Sequence, residues 1–375
     1  MISRRGLLLA SAGALAACGR RKATAYPGYC FVANRAGRSV AVVDLSRFRV
    51  RAGIALDAAP EAVLAHPRKP FAYALAPSSG TVYELDAATL TVSRRVRAGS
   101  AAIEMRLDPD GRALWVLYRD PAALIEVPLD SLKPARHIHL SAPPTGFDLS
   151  ADGRAAVACR QDKTILLAAL GTARVEQTIR WDARPEFVRF RTDGKVLLAA
   201  DAEGRSIAFF DVATAKTMVR LPLAFEPRRY AITPDGGQVF LSGPGMDAVG
   251  IVFPYETEVW QTVLAGRAPG AMAATDTPPF LLVANPETNS VTVLDLVNQN
   301  LSSVVQVGAR PGTILSTPDN QYALVLNEVS GDMTVLRLDR LSAASSDRVL
   351  RFKSASLFTT IPVGEEPVGA AVVKW

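Results

Sequence analysis

The residues able to do chemistry in this sequence are few and of two kinds. The first is a set of charges beside prolines: Glu61 after Pro60, Arg184 and Glu186 around Pro185, Glu226 and Arg228 around Pro227, and Arg310 before Pro311. Arginine forks and carboxylates gathered in one place recognise small polar or anionic molecules through charge-assisted hydrogen bonds. Asn34, Asp201, Asn285 and Asn327 end apolar runs at corresponding places and extend this candidate binding set. The second kind is imidazole, of which the chain has 3. His66 lies in Ala65-His66-Pro67, where the corresponding residues elsewhere are Asp108, Ser150, Thr233 and Thr317. Those side chains form turns by bonding nearby backbone, so His66 reads as a turn residue. His137 and His139 alternate along Arg136-His137-Ile138-His139-Leu140, which puts both on one face of a strand and within reach of a shared metal. No third ligand stands near them, and an exposed outer strand is the better reading. Serine-nucleophile and phosphate-cradling motifs do not occur. No catalytic residue, metal site or cofactor is therefore assigned.

The elements that must position these residues are set by a repeat. Asp-Gly pairs at Asp110, Asp152, Asp193 and Asp235 follow one another at steps of 42, 41 and 42 residues, and Asp319-Asn320 falls two steps later. An Asp closes an alternating run at Asp44, Asp86, Asp211 and Asp295, and a proline opens the next apolar run at Pro60, Pro144, Pro185, Pro227, Pro269, Pro311 and Pro367. From closing Asp to opening Pro the count is 16 in three copies, Asp44 to Pro60, Asp211 to Pro227 and Asp295 to Pro311. The clearest unit holds Gly312–Ser316, Tyr322–Leu326, Met333–Leu336 and Phe358–Ile361, short runs rich in β-branched and aromatic residues with turns between. Four strands in a unit of this length make the blade of a β-propeller, which protects its strand edges by radial repetition. Second strands near Cys30, Phe71, Ala113, Arg154, Val196, Val239, Phe280 and Tyr322 give eight blades, with seven as the alternative. First strands precede seven of them, so the terminal Ala370–Lys374 run is predicted to complete the first blade and close the ring.

Leu282-Val283-Ala284-Asn285, Ser290-Val291-Thr292-Val293-Leu294-Asp295 and Val307-Gly308-x-x-Pro311 resemble the YVTN-type propeller repeat. Phe31–Asn34 with Ser39–Asp44 is a second close copy. The resemblance covers essentially residues 28–375 and implies the fold; related propellers include surface proteins, sugar lactonases and the haem-d1 domains of nitrite reductases. The lactonase-like members carry a similar His-Pro turn. YVTN-type rings usually have seven blades and haem-d1 domains eight. A d1-type haem would need an axial His reaching the channel and basic residues for its carboxylates. Arg184, Arg228 and Arg310 could serve the second need, but none of the loops leading into the innermost strands carries a His.

The first residues read as a targeting segment, outside the fold. Arg4-Arg5 precedes an apolar run that ends at Leu15-Ala16-Ala17-Cys18-Gly19, a match to the bacterial lipobox. That match implies removal of residues 1–17, lipidation of Cys18 and a tether over 18–27, with export by the general or the twin-arginine route. Two or three acyl chains give stable anchoring where one is marginal. The formal charge of +6 includes Arg4 and Arg5, so the mature chain carries +4 with its arginines scattered among acids. A nucleic-acid partner would call for a basic stripe, which is missing. Cys30 and Cys159 fall in the first and fourth blades, nearly opposite one another, and are expected to be unpaired. The eighth unit is about fourteen residues longer than the others, through a polar insertion at 339–351 containing Arg340, Arg348 and Arg351, expected at the outer rim on the face away from the innermost-strand loops.

The sequence thus predicts an exported, membrane-anchored, all-β propeller, in the periplasm or on the outer cell surface. Its expected role is non-enzymatic, binding a partner protein, a polysaccharide or a small polar ligand at the channel face. A lactonase-like hydrolase using channel carboxylates and arginines is the first alternative. A protein holding a d1-haem-like tetrapyrrole or a quinone is the second.

Overall fold

The computed structural model describes residues 25–341 and 356–374. Among them the strands form eight four-stranded antiparallel sheets. The chain is an eight-bladed β-propeller, as the repeat count predicted. Blade 1 runs outward from Pro367–Lys374 through Gly28–Asn34 and Ser39–Asp44 to Arg49–Ala55. The innermost strands of blades 2 to 8 are Ala62–Ala65, Ala101–Leu107, Gly146–Leu149, Pro185–Phe190, Arg229–Ile232, Met272–Ala274 and Pro311–Ser316. Neighbouring blades touch through these strands, which line the central channel.

Closure is by the last strand. Gly28 pairs with Lys374, Cys30 with Val372 and Val32 with Ala370, so both ends of the ring are tied into one sheet. Second strands such as Val196–Asp201 and Phe280–Asn285 are buried along their whole length. Outermost strands alternate, as Thr91–Arg97 does. Blades press on one another through both sheet faces, which explains why the second strands read as continuous apolar runs. Phe31, Val40 and Val42 of blade 1 meet Ala72, Ala74 and Tyr83 of blade 2 in one such layer.

The Asp-Gly markers occupy the turns from first to second strand. Gly111, Gly153, Gly194 and Gly236 take φ of +64°, +83°, +68° and +74°, the left-handed region that a side chain resists, and Asn320 takes it at +52°. His66 belongs to this turn family: its Nδ1 accepts the backbone N–H of Arg68 at 3.0 Å and of Lys69 at 3.1 Å. At the corresponding position Thr317 and Thr233 also hold the turn, accepting with Oγ1 from the backbone N–H five residues on, of Tyr322 at 3.1 Å and Gln238 at 3.0 Å. His137 and His139 lie exposed on the outermost strand of blade 3, ring centroids 6.4 Å apart.

Cys30 and Cys159 are free and buried in separate inter-blade layers. Burial pushes their thiols up to about 12 and about 11. The lipobox and Cys18 lie outside the described residues, as do residues 342–355, which hold most of the expected insertion with Arg348 and Arg351. Its first residues are described and are not loose: Leu338 and Leu341 are buried against blade 7, and Ser302 Oγ donates to the Leu341 carbonyl at 2.8 Å. Among the described residues no helix is long and apolar enough to cross a membrane.

Candidate functional site

Loops leading into the innermost strands open on one face of the ring, and on blades 4 to 6 their charges form a continuous chain. Arg184 holds Glu203 at 3.3 Å, Glu203 takes Arg160 at 2.9 Å, and Arg160 reaches Glu186 at 2.8 Å. Glu186 lies 3.6 Å from Arg228, which pairs with Glu226 at 2.9 Å. Arg184, Glu186, Glu226 and Arg228 are thus brought together as the sequence suggested. Arg160 and Glu203, from the turn after a second strand in blades 4 and 5, complete the set. A recess of about 510 Å3 opens between Arg160, Gln161, Arg184 and Glu203. The hydrogen bond from Arg160 holds the Glu203 carboxyl below its ordinary range, so it is ionised at neutral pH.

Other candidates are placed elsewhere. Arg310 pairs with Glu328 at 3.3 Å on blade 8, across the ring, and Glu61 is exposed on blade 2. Asn34, Asp201, Asn285 and Asn327 are not open to a ligand. They end second strands, one strand further out than the channel wall, and are buried. Asn34 Nδ2 donates to the Val363 carbonyl at 2.8 Å, Asn285 Nδ2 to Thr292 Oγ1 at 2.8 Å, and Asn327 Nδ2 to Asp332 and Thr334. Asp201 receives Arg220 at 3.1 Å and the Gly204 N–H at 3.0 Å. In the Gly-x-x-Pro loops of blades 7, 8 and 1 the glycine, Gly266, Gly308 or Gly364, lies on the Asn: a Cβ at Gly308 would stand 2.6 Å from Asn327 Nδ2. These three Asn residues support the loops that shape the mouth, Asn34 by a hydrogen bond and all three by close packing of the loop glycine.

Deeper in the channel lies a cluster that loop-based reading missed. Arg189 Nη1 donates to Asp148 Oδ1 at 2.5 Å, and Asp148 Oδ2 accepts the Phe190 N–H at 2.8 Å. The Arg189 guanidinium stacks 4.3 Å over the Tyr230 ring, which meets Phe187 at 4.6 Å. Arg106 pairs with Glu104, donates Nε to the Phe147 carbonyl at 2.9 Å and lies 3.4 Å from the Tyr230 hydroxyl. Arg106 belongs to blade 3 and Tyr230 to blade 6, which are not neighbours, so this contact crosses the channel. It braces the wall beneath the mouth. Arg189 is 6% exposed, and its Nε has no partner among the described residues. Burial first, then the charge of Arg106, brings its pKa down to about 10, still protonated at neutral pH. The available signal was charge inside innermost strands, in Ala-Ile-Glu104-Met-Arg106-Leu, Phe-Asp148-Leu and Val-Arg189-Phe.

With this geometry in hand, comparison with known proteins separates fold from function. No family model and no curated protein matches the chain. Among solved structures, the dihydro-heme d1 dehydrogenase NirN in complex with DHE superposes with a TM-score of 0.77 at 14% identity, over 94% of this chain and 76% of that one. The chain has the NirN propeller fold. Hydrazine synthase of Kuenenia stuttgartiensis superposes with a TM-score of 0.56 at 14% identity, over 73% of this chain and 95% of that one. Both likenesses are of fold. A d1-type tetrapyrrole would fit the residues present only in part. Mouth arginines suit carboxylates, but none of the 3 histidines reaches the channel: His66 is tied into a turn at the other face, and His137 and His139 lie on an outermost strand.

Proposed function

We propose that this chain is an exported, lipid-anchored, non-catalytic propeller that binds a small carboxylate-bearing molecule at its channel mouth. One observation carries the reading: three arginines and three glutamates from adjacent blades alternate along a chain of ion pairs, one end of which, Arg160, Arg184 and Glu203, lines an open recess, with Arg184 and Arg228 half-exposed. Guanidinium forks match carboxylates bidentately. A ligand carboxylate entering the recess would exchange with Glu203, whose bonds to Arg160 and Arg184 are the outermost of the chain. The brace gives the mouth a floor on this side of the ring. Each glutamate is paired with arginine, an arrangement suited to recognition more than to moving protons.

Calorimetric titration with citrate tests the reading. Wild-type protein should bind, and Arg184→Ala with Arg228→Ala should weaken binding on the order of tenfold or more, since a charge-assisted hydrogen bond contributes about 1.5–3 kcal/mol. Equal affinity in both proteins would remove the mouth as the site.

A second reading, binding of a tetrapyrrole, is favoured by the NirN-like fold and by the channel's two-sidedness. The innermost strands of blades 7, 8, 1 and 2 carry half-buried apolar residues, Met272, Leu315, Val372 and Leu64, and an apolar macrocycle would lie along this uncharged side with its carboxylates on the arginines. Haem as a probe separates the two: a Soret shift lost in the same double variant would assign the macrocycle class.

A further inference from the structure

On the face opposite the mouth, between blades 8, 1 and 2, lies a second cavity of about 560 Å3. The chain enters the ring here at Tyr26, and the closing strand ends here at Lys374. Its polar lining is Tyr26, His66, Arg68, Lys69 and Lys374, set among Pro67, Pro70, Pro318 and Val372, and among the described residues no carboxylate lines it. The donors are partly pre-positioned. Because His66 Nδ1 accepts two backbone N–H groups, the neutral ring carries its proton on Nε2. Burial and the charges of Lys69 and Arg68 keep that ring neutral by lowering its pKa. Arg68 is steadied by donating Nη2 to the Asp110 carbonyl at 2.9 Å, and Lys69 by Asp130 at 2.8 Å. Lys374 projects from the end of the strand and is exposed.

We propose that this cavity receives the phosphate headgroup of an anionic phospholipid and so seats this face of the propeller on the membrane. A wall of donors without a carboxylate selects against cations and favours an oxyanion, while the proline and valine surround suits the apolar side of a lipid. The lipid source, as against free phosphate, rests on the lipobox reading of Cys18. Tyr26 is eight residues beyond Cys18. At about 3.3–3.6 Å per residue that tether reaches roughly 26–29 Å when extended. The anchor would therefore hold this face, and not the mouth, close to the headgroups, leaving the mouth open to the surrounding fluid.

The test uses the full chain with Cys18→Ser, so that whatever precedes Tyr26 is common to all samples. Sedimentation with phosphatidylglycerol vesicles should show binding, and with phosphatidylcholine vesicles little. Arg68→Gln with Lys374→Gln should weaken the first by on the order of tenfold or more, as expected for two cations at an anionic surface. Arg119→Gln with Arg180→Gln removes the same charge from exposed positions at the mouth face and should leave binding unchanged. Equal losses in the two variants would reduce the effect to net charge and overturn the proposal. So would an unchanged affinity in the cavity variant. Binding of inorganic phosphate, followed by the His66 ring NMR signals, without vesicle binding would assign a soluble anion and overturn the headgroup.

Discussion

Blades 7, 8, 1 and 2 and blades 3 to 6 share one strand plan, yet their channel sides differ in kind. In the first group the innermost strands are built of residues such as Met272, Ala273, Ile314, Leu315, Ala370, Val372 and Leu64, without a charge before Lys374. In the second, Glu104, Arg106, Asp148 and Arg189 interrupt them. The division follows the repeat except at blade 2, whose second strand ends in Ala76. Blades 1, 7 and 8 keep the second-strand Asn and the glycine that lies on it; blades 5 and 6 have Asp201 and Ser242 at that corner. Where the repeat is kept, its Asn residues are buried under a loop glycine and bonded through Nδ2 to the loop or to their own blade. Where it drifts, side chains are left over for a channel brace and a charged mouth.

The largest effect is expected at closure, which belongs to the regular half. Removing Pro367–Lys374 takes away the innermost strand of blade 1 and leaves Gly28–Asn34 as an unpaired edge. Cooperative thermal unfolding, followed by circular dichroism, should be lost. An unchanged melting curve would mean that the ring does not depend on this strand.

Next in size is the brace. Arg189→Met leaves the half-buried Asp148 with the Phe190 N–H at 2.8 Å and Arg106 at 3.8 Å as its remaining partners, and breaking a fully buried pair from one side costs about 3–5 kcal/mol, an upper bound here. Adding Asp148→Asn should restore part of the loss. In the regular half, Leu64→Met keeps volume and should cost less than about 1.5 kcal/mol. Urea titrations decide; similar values for the two sites would erase the distinction between the halves. Smaller again, Asn327→Ala strands its Thr334 partner and should cost about 1–3 kcal/mol, against about 0.5–1.5 kcal/mol for Ser242→Ala, which loses one bond to the Gly270 carbonyl.

How much of this was legible in sequence follows from the same division. Periodicity showed the strands, the blade number and the closing strand because Asp-Gly turns and loop prolines mark backbone geometry, which every blade must repeat. The mouth was legible in part. Arg184, Glu186, Glu226 and Arg228 stand beside marker prolines, whereas Arg160 and Glu203 stand in turns after second strands and carry no marker. Asn34, Asn285 and Asn327 look like ligand residues by type, but the glycine packed on each one makes them structural, and close approach of that sort is a tertiary fact. The brace could not be derived from any single unit, because the contact between Arg106 and Tyr230 joins blades three positions apart.

The finest test compares two exposed glutamates of like chemistry in the two halves. Glu203 is held below the ordinary range by its hydrogen bond with Arg160, and Glu366 likewise by Arg35 on blade 1. A depressed carboxylate stabilises the fold above its unfolded pKa, about 4.3, and that stabilisation is lost as pH falls through the folded value. Glu203→Gln and Glu366→Gln should therefore each flatten the acid limb of the stability curve slightly, since exposed pairs contribute little, and to a similar degree. Affinity for citrate should separate them. Glu203 is the internal competitor for Arg160 and Arg184, so Glu203→Gln frees both guanidinium groups and should tighten binding. Glu366→Gln frees Arg35 outside the recess and should leave affinity at the wild-type value. Equal tightening would trace the gain to net charge, and with it the special standing of blades 4 to 6 would fall.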